Sequence, residues 1–198
     1  MSDHAAAAPC EACPLGVTRA VASRGPVPAR VLLLSGAPRL HEERDGVAFA
    51  SPAFAWLAAT LAAAGIDAAT VHYATVIGCR PPHQRPARAA EVAACAPRLA
   101  RAIDAIAPDV VVLCGPDVTA TMLPGISLGN AQGRLIVRGG QRYFPIRHPY
   151  AALHHTPYVA QLEDDLRRLA AILAQELEPV ERISAAQPAT LTATLEAA

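Results

Sequence analysis

The sequence predicts a parallel α/β fold, and three observations carry that reading. Short, wholly apolar runs end in turn residues, amphipathic helical stretches lie between them, and the two kinds of segment alternate along the chain. Of the 198 residues, 53% are hydrophobic and 17% charged, enough apolar content for one sizeable core in one domain.

Arg30 to Ser35 reads as a fully buried strand, because four consecutive apolar residues run into Ser35, Gly36 and Pro38. A loop is expected to follow. Ser51 and Pro52 open a helix that runs to about Ala64 and stops at Gly65, with Phe54, Leu57 and Leu61 as its apolar stripe. A second strand is expected over Thr70 to Ile77. The segment Arg80 to Pro86 holds three prolines and is a loop, and helix resumes near Ala87 and reaches Ile106. Asp109 to Gly115 is the next buried strand, followed by a short helix from Pro116 to Leu123. Leu135 to Arg138 and Arg142 to Ile146 are short strands, and the last amphipathic helix is expected over Pro157 to Leu177. The expected domain spans 10–178, with mobile segments at 1–9 and 179–198.

Seventeen basic residues, all arginine, balance seventeen acidic ones, which excludes a globally basic nucleic-acid coat. The arginines nevertheless gather at 80–101 and 134–147, so a local phosphate-facing surface is compatible with the net charge of zero. No apolar run approaches the ~20 residues of a membrane-spanning helix. Neither a secretory signal nor a membrane anchor is expected, and the reducing cytoplasm is the expected compartment.

In that compartment five cysteines suggest metal before disulfides. Cys10 and Cys13 form a C-x2-C pair in a polar terminal segment, Cys79 heads the Arg-Pro-Pro loop, and Cys95 lies in a helix. Four such thiolates can converge on zinc or on an iron–sulfur cluster, and spacing does not choose between the two. Cys114, inside Val-Val-Leu-Cys-Gly, reads as core.

Six blocks follow one another in order: Cys-Glu-Ala-Cys-Pro-Leu at 10–15, Leu-Ser-Gly-Ala-Pro at 34–38, Gly46 through Phe49, Cys-Arg-Pro-Pro at 79–82, Glu91 to Cys95, and His148-Pro149. Together they resemble the iron–sulfur-containing family 4 uracil-DNA glycosylases. The resemblance implies a three-layer α/β/α sandwich with a parallel four-stranded central sheet. It also implies a [4Fe–4S] cluster on Cys10, Cys13, Cys79 and Cys95, and excision of uracil from DNA to leave an abasic site, as in base excision repair.

By the same resemblance His148 is the histidine whose neutral ring donates to the uracil carbonyl as charge develops there. Phe49 matches the aromatic that stacks on the base, and Gly36, Ala37 and Pro38 form the loop that lines the substrate site. This chain departs from the family pattern in three places. Gly36 replaces the acidic residue expected to orient water, so Glu42, Glu43 and Asp45 are the carboxylates left in that loop to take its part. Thr75 stands where the family carries the amide that reads the uracil edge, and Tyr150 replaces a small residue after His148-Pro149.

Arg80, Arg85, Arg142, His154 and His155, with Tyr150, flank the motif loops and are the expected DNA contacts. The expected partner is DNA containing uracil or another damaged base, bound by a monomer. The competing reading keeps the fold and the cluster but only binds DNA or a protein partner, a reading that Gly36 and Thr75 favour.

Overall fold

The computed structural model describes Cys13, Leu15 and residues 20–174. Cys10 and the two terminal segments expected to be mobile lie outside the described residues.

Strand β1 (Val31–Ser35) is buried along its whole length, as its apolar run requires, and it has a parallel neighbour on each side. Val31 faces Val71 of β2 (Val71–Thr75) and Val110 of β3 (Val110–Cys114). A central parallel strand covered on both faces cannot alternate apolar with polar residues, and this one does not. β5 (Gln141–Ile146) continues the parallel sheet beyond β3, so the order of the parallel strands is β2-β1-β3-β5.

These are the four parallel strands expected of the central sheet, and the short strand expected over 135–138 joins them at the edge. β4 (Ile136–Arg138) pairs antiparallel to β5 at the edge, joined to it by Gly139 and Gly140. Both glycines have positive φ, 57° and 80°, which a two-residue hairpin loop of this hand requires.

Helices cover both faces. Leu32, Leu34, Val111 and Leu113 point into a core shared with Val92, Leu99 and Ile103 of α3 (Ala89–Ile106). Val31, Leu33, Val112 and Phe144 point the other way, onto Phe54, Leu57 and Leu61 of α2 (Pro52–Ala63) and onto Leu162, Leu166 and Leu169 of α7 (Thr156–Leu173). Three layers result, as expected.

Three stretches differ from expectation. Part of the expected loop after β1 is the helix α1 (Leu40–Asp45), whose Glu42 accepts the backbone N–H of Arg39 at 3.0 Å and so caps the first turn. Two short helices, α4 (Pro116–Met122) and α5 (Leu128–Ala131), connect β3 to the hairpin, of which only α4 was expected. The expected last helix is preceded by a separate short one, α6 (Pro149–His154), because His155 adopts an extended conformation between them. Among the described residues no helix is long and apolar enough to cross a membrane.

Candidate active site

The parallel strands all end at one edge of the sheet, where Ser35, Thr75 and Cys114 terminate β1, β2 and β3 and His148 follows β5. After β2 the chain crosses over β1 to form β3 on its far side. Loops leaving β1 and β3 therefore diverge, and ligand sites of open α/β sheets form at such reversals. A cleft of about 480 Å³ lies there, walled by residues 36–39, by the proline-rich loop around Pro81 to Ala87, by residues 114–118, and by His148.

Gly36, Ala37 and Pro38 line this cleft. Nothing lies within 4 Å of where a Cβ on Gly36 would stand, so the missing side chain leaves open space.

His148 caps α6, and its Nδ1 accepts the backbone N–H of Tyr150 at 3.2 Å. An accepting Nδ1 leaves Nε2 as the protonated nitrogen of the neutral ring. Burial, helped by the nearby Arg39 guanidinium, pushes the His148 pKa down to about 4, so the ring is neutral at physiological pH. Gly115, at φ +107°, makes room for it: a Cβ there would come within 3.2 Å of His148 Cβ. The ring of Phe54 meets His148 edge-on from the core side, with centroids 5.7 Å apart.

Phe49 and Thr75 are close by but do not reach the cleft wall. Phe49 is buried, its ring tilted against Phe54 at 4.1 Å and Tyr73 at 5.2 Å between centroids, and the Arg24 guanidinium donates to its carbonyl at 2.6 Å. Its φ of 58° is unusual for a bulky side chain, and the Arg24 bond holds the backbone there. Thr75 is buried at the end of β2, where its carbonyl accepts from Arg98.

The three expected carboxylates are occupied elsewhere. Glu42 is buried as the cap of α1, Glu43 pairs with Arg80 at 2.6 Å, and Asp45 pairs with Arg44 on the surface. None of the three lines the cleft.

The expected DNA contacts divide. Arg85 lines the cleft, but its guanidinium grips the buried Glu91 in a two-pronged pair, while Glu91 also accepts the Arg88 amide at 2.8 Å. This holds the Glu91 carboxyl below the usual carboxylate range, with the Arg85 bond as its main cause. Arg142 sits near the start of β5, toward the opposite end of the sheet, and the structure does not bring it to the site. Tyr150 and His154 stack 4.6 Å apart on exposed α6, and Arg39 lies 5.0 Å over the Tyr150 ring, so the three make a rim beside the cleft. His155 follows, packed against Tyr158.

Cys13, Cys79 and Cys95 are buried in one core cluster, and the Cys95 thiol feels both of the others. Burial pushes that thiol up, while the Gly78 amide and the Arg98 charge act in the opposite direction. Among the described residues no group of three or more His, Cys, Asp or Glu is arranged to hold a metal ion, and the fourth cysteine, Cys10, lies outside them. The donor set, three neighbouring soft thiols under an arginine and a backbone amide, suits a thiolate-bound metal or cluster. Cys114 is buried in β3, as expected of core.

Sequence reasoning did not single out Arg39, Gly115 or Asp117, all of which line the cleft. The available signal was position: each follows a buried parallel strand at its carboxyl end.

Comparison with known proteins places these features in a family. The model of the uracil DNA glycosylase superfamily matches residues 22–170. A type-4 uracil-DNA glycosylase of Thermotoga maritima is 30% identical over 81% of this chain and 83% of its own length. One from Pyrobaculum aerophilum is 31% identical over 79% and 86%. A third, from Saccharolobus solfataricus, is 28% identical over 84% and 83%.

Proposed function

The chain belongs to the uracil DNA glycosylase superfamily, within the type-4 group, and on that premise we propose that it hydrolyses the N-glycosidic bond of uracil in DNA to leave an abasic site. The observation that carries this reading is the fixed, neutral His148 at the cleft, with Nε2–H as its donor.

The target nucleotide is extruded from the helix, at a cost of a few kcal/mol, and its base enters the cleft. As the bond from C1′ to N1 breaks, the electron pair stays on the base and the sugar gains oxocarbenium-like charge. A donor already aimed at the base carbonyl stabilises that negative charge without reorganising, and a neutral imidazole does so without having to give up its proton. Tyr150, His154 and Arg39 present an exposed aromatic and cationic rim beside the cleft for the flanking strand.

Cys10, Cys13, Cys79 and Cys95 would hold a [4Fe–4S] cluster, which would supply a structural cross-link rather than a catalytic step. Cys79 in the loop after β2 and Cys95 in α3 would be joined through it to Cys13.

The test is single-turnover cleavage of a uracil-containing oligonucleotide, with alkali to reveal abasic sites, beside His148→Ala. Strand breaks that fall by about 100-fold or more in the variant support the assignment. No breaks at enzyme excess, with DNA binding retained, would instead favour a binding module of the same fold, the reading to which Gly36 points.

A further inference from the structure

Water that adds to the sugar must lose a proton, which a positioned base speeds, and by the family resemblance the acidic residue expected to orient that water falls at Gly36, which has no side chain. The carboxylates around it are committed. Glu42 binds the Arg39 amide, Glu43 binds Arg80, Asp45 binds Arg44, Glu91 binds Arg85, and none of them lines the cleft. Among the described residues one carboxylate does line it: Asp117, in the first turn of α4.

Asp117 is exposed, and its carboxylate has no hydrogen bond or ion pair among the described residues. Its backbone is held, since Thr121 Oγ1 donates to its carbonyl at 2.8 Å. Two residues earlier, Gly115 packs so closely on the imidazole that an added Cβ would lie 3.2 Å from His148 Cβ and 3.4 Å from Cδ2. Two residues of chain span at most about 7 Å, and Asp117 and His148 both line the one cleft. The empty space over Gly36 opens into the same cleft.

Resting on the glycosylase reading above, we propose that Asp117 is the catalytic carboxylate of this chain, orienting and deprotonating the hydrolytic water in place of the side chain that Gly36 lacks. The water oxygen bonds to C1′ as the C1′–N1 bond breaks. Its proton passes to the Asp117 carboxylate, the N1 electron pair leaves with the base, and the base anion is protonated from solvent. The negative carboxylate also stabilises the positive charge that grows on the sugar.

The experiment compares wild type, Asp117→Asn, Gly36→Glu and the double variant in single-turnover excision of uracil from a single-stranded oligonucleotide, with affinity for the same DNA measured alongside. Asp117→Asn should slow excision by about 100-fold while DNA affinity stays within about twofold. Gly36→Glu in the Asp117→Asn background should restore at least about tenfold, since its side chain enters the same open space. An active wild type with Asp117→Asn within about threefold of it overturns the assignment and leaves the glycosylase reading standing. Equal losses of rate and DNA affinity, or a double variant as slow as Asp117→Asn, overturn it too. Wild type and Gly36→Glu both inert at enzyme excess, with DNA bound, overturn the glycosylase reading and this inference together.

Discussion

The backbone amide of Tyr150 donates to Nδ1 of His148 at 3.2 Å, and that one bond decides which ring nitrogen carries the proton. It also makes His148 the cap of α6, so the residue that would polarise the base is placed by helix formation itself. Tyr150 contributes through its backbone here, which leaves its ring free for the rim.

The depressed pKa of His148 has a consequence for stability. Its ordinary value is 6.5 and burial brings it to about 4, so between these values the unfolded chain binds a proton that the folded one does not. Stability therefore falls as pH drops through that window, by up to about 3 kcal/mol at its lower end. His148→Gln removes the titration. Urea melts of both proteins at pH 7 and pH 4.5 should show wild type losing more stability than the variant, and parallel losses would contradict the neutral-ring assignment.

Gly115 is the position where backbone conformation and close approach coincide. At φ +107°, with His148 Cβ 3.2 Å from an added methyl, alanine is strained in two ways. Gly115→Ala should destabilise the fold by about 1–3 kcal/mol. Excision should fall by about 100-fold, because a displacement of even ~1 Å of a positioned group has that effect. A variant with normal melting and normal rate would show that the cleft tolerates the methyl.

Much of the fold was legible because its signals are local and strong. Val31 to Leu34 and Val110 to Cys114 read as buried strands and are, and Phe54, Leu57 and Leu61 are buried on the stripe their spacing drew. The short helices α1, α5 and α6 have fewer than two turns each, too little sequence for a 3.6-residue period to register. The site was legible where a residue type and a strand end coincided, as at His148. It was not legible where a partner decides the role. Glu42, Glu43 and Asp45 looked like spare carboxylates until the structure gave each a nitrogen to hold.

The cysteines separate by their surroundings. Protein purified without oxygen should show broad visible absorbance and about four irons per chain. Cys95→Ser should lose most of that iron, because Cys95 shares its core cluster with Cys13 and Cys79. Cys114→Ser should keep it: Cys114 belongs to the opposite core, and burial alone drives its thiol pKa far up. Colourless wild-type protein containing zinc would replace the cluster with a tetrathiolate zinc site.

Arg85 separates a structural from a nucleic-acid role for the arginines. Its guanidinium is spent on Glu91, which is 2% exposed and also caps α3 through the Arg88 amide. Removing one partner of such a pair leaves a buried charge without compensation, so Arg85→Ala should lower the melting temperature. A phosphate contact predicts something else: each one lost should reduce the slope of log affinity against log salt by about 0.7 for single-stranded DNA. Arg85→Ala is expected to melt early and keep the wild-type slope, whereas a reduced slope with normal melting would assign Arg85 to DNA after all.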